Sequence, residues 1–231
     1  MKKYLTLLVT IMLLFPASLW AQSCLGINLK VGSGYEMISY DGKGKETGRL
    51  VYTVLKVSEK AGTTVVDVQV RTFDKKEKET MASTYQLNCT GDELRVDAAS
   101  FMAEDQRKSL ESFEMTFTSN DVIYPGKLSV GQQLKDGSLH GEGSAGPLNI
   151  TTDMTIANRR VIGNETLTVP AGTFQVFKIT SDMNVSTKTV MKVGFDFQSV
   201  SYRTNDILWD IKTETYRKGK LLSTSVLSKL L

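Results

Sequence analysis

Hydrophobic and polar residues alternate along most of the chain with a period of two, which is typical of β-strands with one buried face. The segment TTVVDVQVRTF places Val66, Val68 and Val70 on one face and polar side chains on the other. The segments ITTDMTI and ILWDIKTETY alternate in the same way, and their predicted inward residues are Ile150, Thr152, Met154, Ile156, Ile207, Trp209 and Ile211. Several such strands at regular spacing predict an all-β fold, an antiparallel sandwich or barrel.

Three short segments predict the turns between strands. YDGKGKETG, FDKKEKET and YRKGKLLS begin at residues 40, 73 and 216, and each runs from an aromatic residue into Lys and Gly. This pattern predicts β-hairpins with lysines on a solvated tip and glycines free to take positive φ. The GKGK sequence lacks the spacing of a phosphate-binding loop, so we interpret it as a turn.

The remaining segments predict one helix and two connections. AEDQRKSLESF, residues 103–113, predicts one short helix with a thin apolar stripe through Gln106, Leu110 and Phe113. Residues 124–139 hold Pro and Gly at turn-forming spacing and predict a connection between sheet segments. Residues 140–147, HGEGSAGP, predict a flexible loop because of their glycine content.

The first 21 residues have the pattern of a secretory signal peptide. Lys2 and Lys3 precede the apolar stretch YLTLLVTIMLLF, and Pro16 and small residues follow it up to Ala21. The stretch is shorter than the roughly 20 apolar residues that a membrane-spanning helix needs. We therefore predict a signal peptide at residues 1–21 and a single exported β domain at 22–231, with no transmembrane helix in the mature chain.

Charge argues against nucleic acid as a partner. Removing the two leader lysines from the 28 basic residues leaves a near balance against the 25 acidic residues. The densest charge run, FDKKEKE, alternates in sign, whereas nucleic-acid binding needs a concentrated basic face. We interpret this run as a solvated hairpin tip.

The two cysteines have two interpretations. An exported chain leaves the reducing cytosol, so an even cysteine count favours a bridge between Cys24 and Cys89. Alternatively, Cys24 is the lipid attachment point of an envelope lipoprotein. Ser23 fits a lipoprotein signal, but Gln22 is a poor match.

The residues that could support catalysis are few. His140 is the one histidine, and no GxSxG motif is present to supply a nucleophile. A zinc site needs several His or Cys ligands. We therefore predict no cofactor, no metal and no enzymatic activity, while a carboxylate pair drawn from Glu165, Asp182 and Asp196 stays open.

The segment VPAGTFQVFKI, taken with YDGKGK, LSVGQQLKDG and the closing TETYRKGKLLSTSVL, resembles the TapB-like exported proteins of Gram-negative bacteria. The resemblance covers nearly all of the predicted mature chain. It implies an antiparallel, partly open β-barrel or half-barrel, akin to folds that carry lipids or lipoproteins in the periplasm. The positions of Cys24 and Cys89 match the family pattern, which further favours their disulfide. The residues after Trp209 depart from that pattern, and the resemblance implies no catalytic residues.

Two functional hypotheses follow for a protein of the periplasm or outer envelope. In the first, the barrel binds an apolar ligand such as a lipid acyl chain, because methionine and aromatic side chains adapt to apolar ligands. The predicted ligand-facing residues are Met154, Met191, Phe197 and Trp209, although each could equally be ordinary core. In the second, the protein docks an envelope partner through a sheet face or edge.

Overall fold

The computed structural model describes residues 23–101 and 115–231. These residues form fifteen β-strands and one 3-10 turn, Ala98–Phe101. The strands are β1 (Ser23–Cys24), β2 (Ile27–Asn28), β3 (Gly34–Asp41), β4 (Glu46–Lys60), β5 (Thr63–Asp74), β6 (Glu79–Thr90), β7 (Glu93–Val96), β8 (Thr116–Asn120), β9 (Val122–Pro125), β10 (Gly137–Ala145), β11 (Leu148–Val169), β12 (Gly172–Lys188), β13 (Lys192–Arg203), β14 (Asp210–Arg217) and β15 (Lys220–Leu230). The predicted signal peptide and the predicted helix at 103–113 lie outside the described residues. Among the described residues, no helix has the length and apolar character needed to cross a bilayer.

Thirteen of these strands form one antiparallel sheet that curves into a nearly closed barrel. The strand order is β8-β10-β11-β12-β13-β14-β15-β3-β4-β5-β6-β7-β9, and β1 pairs separately with β2. The two ends of the sheet, β8 and β9, are consecutive in the chain and are separated only by Asp121. The barrel therefore has one unsealed seam, and the predicted all-β, partly open barrel is confirmed.

The three predicted hairpins are present, and in two of them an aspartate side chain accepts hydrogen bonds from the backbone of the turn. In the β3–β4 turn, the Asp41 carboxylate accepts hydrogen bonds from the backbone N–H of Lys43 and Lys45, each at 2.9 Å. Asp74 does the same in the β5–β6 turn. These bonds satisfy turn N–H groups that have no partner in the strand ladder. In the β14–β15 turn, Gly219 takes a φ of 74°.

The prediction of a flexible loop at residues 140–147 is wrong. Most of this segment belongs to β10, which pairs with β8 on one side and β11 on the other. A Cβ at Gly141 would lie 2.5 Å from Cε1 of Phe117, so the glycine leaves space for the aromatic ring of the neighbouring strand. Glycine content indicated a loop, whereas here a glycine allows two strands to pack.

The strand predicted from Ile207 begins later, at Asp210. Residues 205–209 bend instead, so the period-two alternation does not hold before the strand. Leu208 is buried in this bend. Trp209 and Asp210 both line one cavity on the inner face of the sheet, instead of pointing to opposite faces of a strand.

The disulfide joins the first hairpin to the barrel core. Cys24 and Cys89 are bonded, with their Cα atoms 5.3 Å apart, and both are buried. They pack in one cluster with Val54, Val66 and Val68. A second cluster is formed by Tyr35, Met37, Val169, Val176, Tyr202, Ile211 and Leu227. The C-terminal end of β11 and the N-terminal part of β12 thereby pack against β3, β14 and β15.

Candidate functional site

A cavity of about 360 Å³ lies on the inner face of the sheet, among β3 to β7 and the start of β14. This volume falls within the range of roughly 300–1,000 Å³ that is usual for small-molecule sites. Most of its lining is apolar or aromatic. Among the described residues, the polar lining is supplied by Ser83, Ser100, Arg203, Asp210 and Thr213.

Three stacked aromatic rings form one wall of the cavity. The rings of Tyr35 and Tyr52 lie 4.2 Å apart and nearly parallel, at 8°. The Trp209 ring packs on Tyr35 at 4.5 Å with a tilt of 36°. Tyr35 and Tyr52 are cross-strand partners on β3 and β4, so the sheet register brings them together. Strand pairing fixes the two tyrosines side by side, and Trp209 is added to this apolar wall from the bend at residues 205–209.

The tyrosine hydroxyls of this wall stay neutral at physiological pH. Burial raises the pKa of Tyr35 well above its usual value, and the neighbouring Tyr52 and Tyr85 raise it further. Burial also raises the pKa of Tyr52 to about 12. The pKa of Tyr85, which also lines the cavity, is raised by burial and by Tyr52, and the opposing contributions of Trp209 and Arg203 do not cancel this rise. These hydroxyls therefore offer hydrogen bonds without adding charge.

A buried ion pair occupies one end of the cavity. Nη1 of Arg203 lies 2.7 Å from Oδ1 of Asp210, and Nη2 donates a hydrogen bond to the carbonyl oxygen of Leu208. The Arg203 guanidinium also lies over the ring of Tyr124, 4.1 Å from its centroid. These contacts hold the bend at residues 205–209 against the end of β13.

A second arginine adds positive charge next to this pair. Arg159 is almost fully buried, and its guanidinium lies 4.6 Å from the centroid of the same Tyr124 ring. Its Nη1 donates to the carbonyl oxygen of Ile123 at 2.9 Å, whereas its Nη2 is buried without a hydrogen-bond partner. Within residues 23–101 and 115–231, no carboxylate lies within ion-pair distance of Arg159. The Tyr124 ring thus contacts two guanidinium groups, of which only that of Arg203 lines the cavity.

The structure does not bring the four predicted ligand-facing residues together. Trp209 lines the cavity. Met154 is buried, 8 % exposed, in a separate cluster with Ala98 and Leu139. Met191 lies in the β12–β13 turn and is 74 % exposed. Phe197 lines a second depression.

This second depression has a volume of about 600 Å³ and is lined by polar and apolar surface in about equal parts. It adjoins the part of β13 that extends beyond β14. Asp182 and Asp196, two of the carboxylates left open by the sequence, both line it. Each accepts a hydrogen bond from an asparagine amide, from Asn158 to Asp182 and from Asn184 to Asp196. Glu165 is not among the residues that line it.

Sequence reasoning missed the tyrosines and the ion pair of the cavity. Tyr35 and Tyr52 do fall on inward positions of alternating strands, so the period-two pattern carried a signal for them. Arg203 and Asp210 carried no such signal, because charged residues at strand ends usually indicate solvent. Their pairing depends on the bend between β13 and β14.

The predicted position of His140 in a loop is also wrong. It lies in β10 rather than in a loop, and it has a partner, since its Nδ1 is 2.6 Å from Oδ1 of Asp153 on β11. This hydrogen bond raises the pKa of His140, and Asp153 and Glu142 add charge attraction in the same direction. Both side chains are about half exposed on the outer face. Within the described part of the chain, no group of three or more His, Cys, Asp or Glu residues is placed to hold a metal ion.

Comparison with known proteins identifies a family and a fold. The model of the DUF3108-like family matches residues 30–227. A crystal structure from Bacteroides fragilis, described as a candidate exported protein with a YmcC-like fold, is similar with a TM-score of 0.64 and 19 % identity. A candidate lipoprotein from Parabacteroides distasonis is similar with a TM-score of 0.64 and 21 % identity. Each match covers 87 % of this chain and 96 % of the other. No curated protein matches the chain.

Proposed function

The chain belongs to the DUF3108-like family, and we propose that it is an exported binding protein whose barrel interior takes an apolar ligand with an acyl chain. The observation that carries this proposal is the cavity of about 360 Å³ with its stacked aromatic wall. Ligand pockets are usually concave, mainly apolar and equipped with a few oriented polar groups. The cavity has all three properties.

The charge distribution gives the ligand an orientation. The apolar lining, which includes Leu50, Met81 and Leu87, suits hydrocarbon, and methionine adapts to irregular apolar shapes. Arg203 lines the same cavity from β13, whereas Met81 lines it from β6, and Arg159 lies outside the lining, on the Tyr124 ring. We propose that the acyl chain packs toward Met81 while a carboxylate or ester head group faces Arg203.

We propose that the protein binds its ligand without chemical conversion. Asp210 is held in an ion pair by Arg203, and the tyrosine hydroxyls have raised pKa values. A general base needs a pKa near the working pH and a group within reach of its substrate. The polar groups of the cavity are therefore suited to orientation rather than to proton transfer.

The proposed location is the periplasm or the outer envelope. Support comes from the signal-peptide pattern at residues 1–21 and from the disulfide, which is stable in an oxidising compartment. The two similar crystal structures are described as a candidate exported protein and a candidate lipoprotein. A lipid anchor on Cys24 would need the thiol that the disulfide uses, so we propose the bridged, unlipidated form. The resemblance to TapB-like proteins stays a prediction.

Fluorescence of Trp209 offers a direct test. The chain has two tryptophans, and the other, Trp20, lies in the predicted signal peptide. Trp209 would then be the only tryptophan of the mature protein, and it lines the cavity. A medium-chain fatty acid with a bromine atom on its chain should quench this fluorescence in a saturable manner. The matching fatty alcohol should bind more weakly if Arg203 receives the carboxylate.

A matched pair of variants locates the binding. Ser83 lines the cavity, and its neighbour Ala82 faces outward on the same strand. Ser83→Phe should fill the cavity and abolish quenching, whereas Ala82→Phe should leave it unchanged. Equal quenching in both variants, or none in the wild-type protein, would refute the ligand proposal. A parallel native mass spectrum of the protein from its own envelope would identify the N-terminus and any bound molecule.

A further inference from the structure

Two neighbouring hairpins form a surface that combines exposed hydrophobic residues with unpaired positive charge. The first is the β12–β13 turn with its flanks, residues 188–192, and the second is the β14–β15 turn, residues 217–220. Their sequences are KTVMK and RKGK. We call these two segments, together with Val193 and Phe195, the basic apolar rim. The rim lies outside the aromatic-walled cavity and borders the second depression, which Phe195, Arg217 and Lys218 line.

Within the described residues, five hairpin turns lie at one end of the barrel, and two of these five carry excess charge. Strands β3, β5, β10, β12 and β14 all run toward this end. In the β3–β4 and β5–β6 turns, the sequences DGKGKE and DKKEKE contain as many acidic as basic residues. The two turns of the basic apolar rim contain five basic residues and no acidic ones.

The positive charge of the rim is available to an external partner. Within the described residues, Lys188, Lys192, Lys218 and Lys220 have no carboxylate within ion-pair distance. The guanidinium of Arg217 lies over Phe195, 4.8 Å from the ring centroid. None of these four lysines is held in an ion pair by a carboxylate of the described residues, although Asp182 and Asp196 line the same depression as Arg217 and Lys218.

The exposed hydrophobic residues lie between these charges. Val190 is 77 % exposed and Met191 74 %. Val193 and Phe195 follow on the same hairpin and are also exposed, as is Leu148 of the adjacent β10–β11 hairpin. Large hydrophobic side chains that are clustered and exposed usually mark an interaction site.

The arrangement has a local cost in the folded protein. Lys188 and Lys192 are directly opposite each other across the β12–β13 pair, and like charges in that position are destabilising. Residues 192–197 also extend beyond β14, so within the described chain this edge of β13 has no strand partner. A sequence selected for stability alone would not favour this combination.

We propose that the basic apolar rim docks on the surface of an anionic phospholipid bilayer. Lysines near such a surface gain attraction from its negative potential. Exposed Val190 and Met191 at the tip of the hairpin can enter the boundary between head groups and acyl chains while Lys188 and Lys192 meet the phosphates. The complementarity of charge favours a lipid surface over a second copy of this chain, whose rim would carry the same sign.

Vesicle sedimentation tests the proposal with the disulfide-bonded mature protein. The probes are vesicles of phosphatidylcholine alone and of phosphatidylcholine with phosphatidylglycerol. The charge variant is Lys188→Gln, Lys192→Gln, Lys218→Gln and Lys220→Gln together. Its control changes the same number of lysines at the other two turns: Lys43→Gln, Lys45→Gln, Lys75→Gln and Lys76→Gln. A tip variant, Val190→Ser with Met191→Ser, is matched by Val31→Ser with Val130→Ser, which are exposed elsewhere.

We expect binding to the anionic vesicles that falls as salt is added, because screening weakens surface attraction. Each lysine removed from the rim should weaken partitioning by about fivefold, and the tip variant should weaken it by at least about tenfold. Both controls should bind like the wild-type protein. Thermal unfolding of each variant shows whether it is folded, and the tip variant tests the proposal independently if the charge variant fails to fold.

Three results would overturn the proposal. The first is no binding to anionic vesicles. The second is equal loss in the rim and control lysine variants, which would indicate general charge attraction. The third is a wild-type dimer in analytical ultracentrifugation that dissociates in the tip variant without any vesicle binding, which would assign the rim to a second copy.

Discussion

The disulfide between Cys24 and Cys89 gives the sharpest stability prediction. The bond spans a sequence separation of 65 residues and ties the β1–β2 hairpin to β6. Closing a loop of this length removes conformational entropy from the unfolded chain. In the loop-entropy model, this stabilises the folded state by about 4 kcal/mol at 25 °C.

Two perturbations separate the cross-link from the packing of its sulfur atoms. Reduction breaks the bond but keeps both sulfurs in the core cluster beside Val54 and Val66. The double variant Cys24→Ala, Cys89→Ala breaks the bond and also removes two buried sulfurs, each comparable in size to a methylene group. That second loss adds about 1–2 kcal/mol. Reduced protein should therefore be about 4 kcal/mol less stable than oxidised protein, and the double variant about 5–6 kcal/mol less stable.

Equilibrium unfolding in guanidinium chloride, followed by Trp209 fluorescence and far-UV circular dichroism, measures these differences. The slope of the unfolding free energy against denaturant should also rise on reduction, because an unfolded chain without the cross-link exposes more surface. Amide hydrogen exchange in residues 23–28 serves as a local control. A loss below about 1 kcal/mol on reduction would refute the loop-entropy argument. Fast exchange confined to residues 23–28 would then show that the bond only fastens the hairpin.

Three further predictions concern the sheet, the buried ion pair and the outer face. A Cβ at Gly34 would lie 1.9 Å from the carbonyl oxygen of Tyr52 on β4, so Gly34→Ala should lower the free energy of unfolding by at least about 1–3 kcal/mol. A Cβ at Gly163 would meet no atom within 4 Å, so Gly163→Ala should lower it much less. Chemical denaturation measures both changes. Asp210→Asn should destabilise the protein by about 3–5 kcal/mol because it leaves Arg203 buried without its charge partner, and Arg203→Met combined with Asp210→Leu should recover part of that loss in a double-mutant cycle. NMR titration of His140, the only histidine, should give a pKa above its usual value, and Asp153→Asn should lower it. Because the pKa of His140 is raised in the folded protein, the stability that the His140–Asp153 pair contributes is fully present below the unfolded pKa of about 6.5. This stability is lost as the pH rises through the folded pKa. If the stability of the Asp153→Asn protein kept the same pH dependence as that of the wild type, the role assigned to the pair would be wrong.

The sequence by itself determined many of the strands and the turns that join them. Alternation over residues 63–73 and 150–156 predicted strands, and both segments are strands with the predicted faces buried. The turn segments predicted hairpins because aspartate, glycine and lysine act within a few residues of one another. These features are local, so a single sequence carries them. The even cysteine count likewise predicted the bridge that the structure contains.

Glycine content misled the prediction at residues 140–147. A glycine in a sequence has the same appearance in a loop and in a strand where a neighbouring ring needs space. Only the pairing of β10 with β8 shows that Gly141 faces Phe117. The partner of His140 was hidden for the same reason, since Asp153 is placed beside it by the register of β10 and β11.

The tertiary structure alone decided which residues form the cavity. Trp209 was predicted, but Tyr35 lies far from Arg203 and Asp210 in the sequence and meets them through the pairing of β14, β15 and β3. Met191 was expected to face a ligand, and the structure places it on an exposed turn instead. Hydrophobicity along the chain tells which residues avoid water in general. Whether such a residue fills the core, lines a cavity or protrudes from a rim depends on strand register and length, and those are fixed by contacts between residues far apart in the sequence.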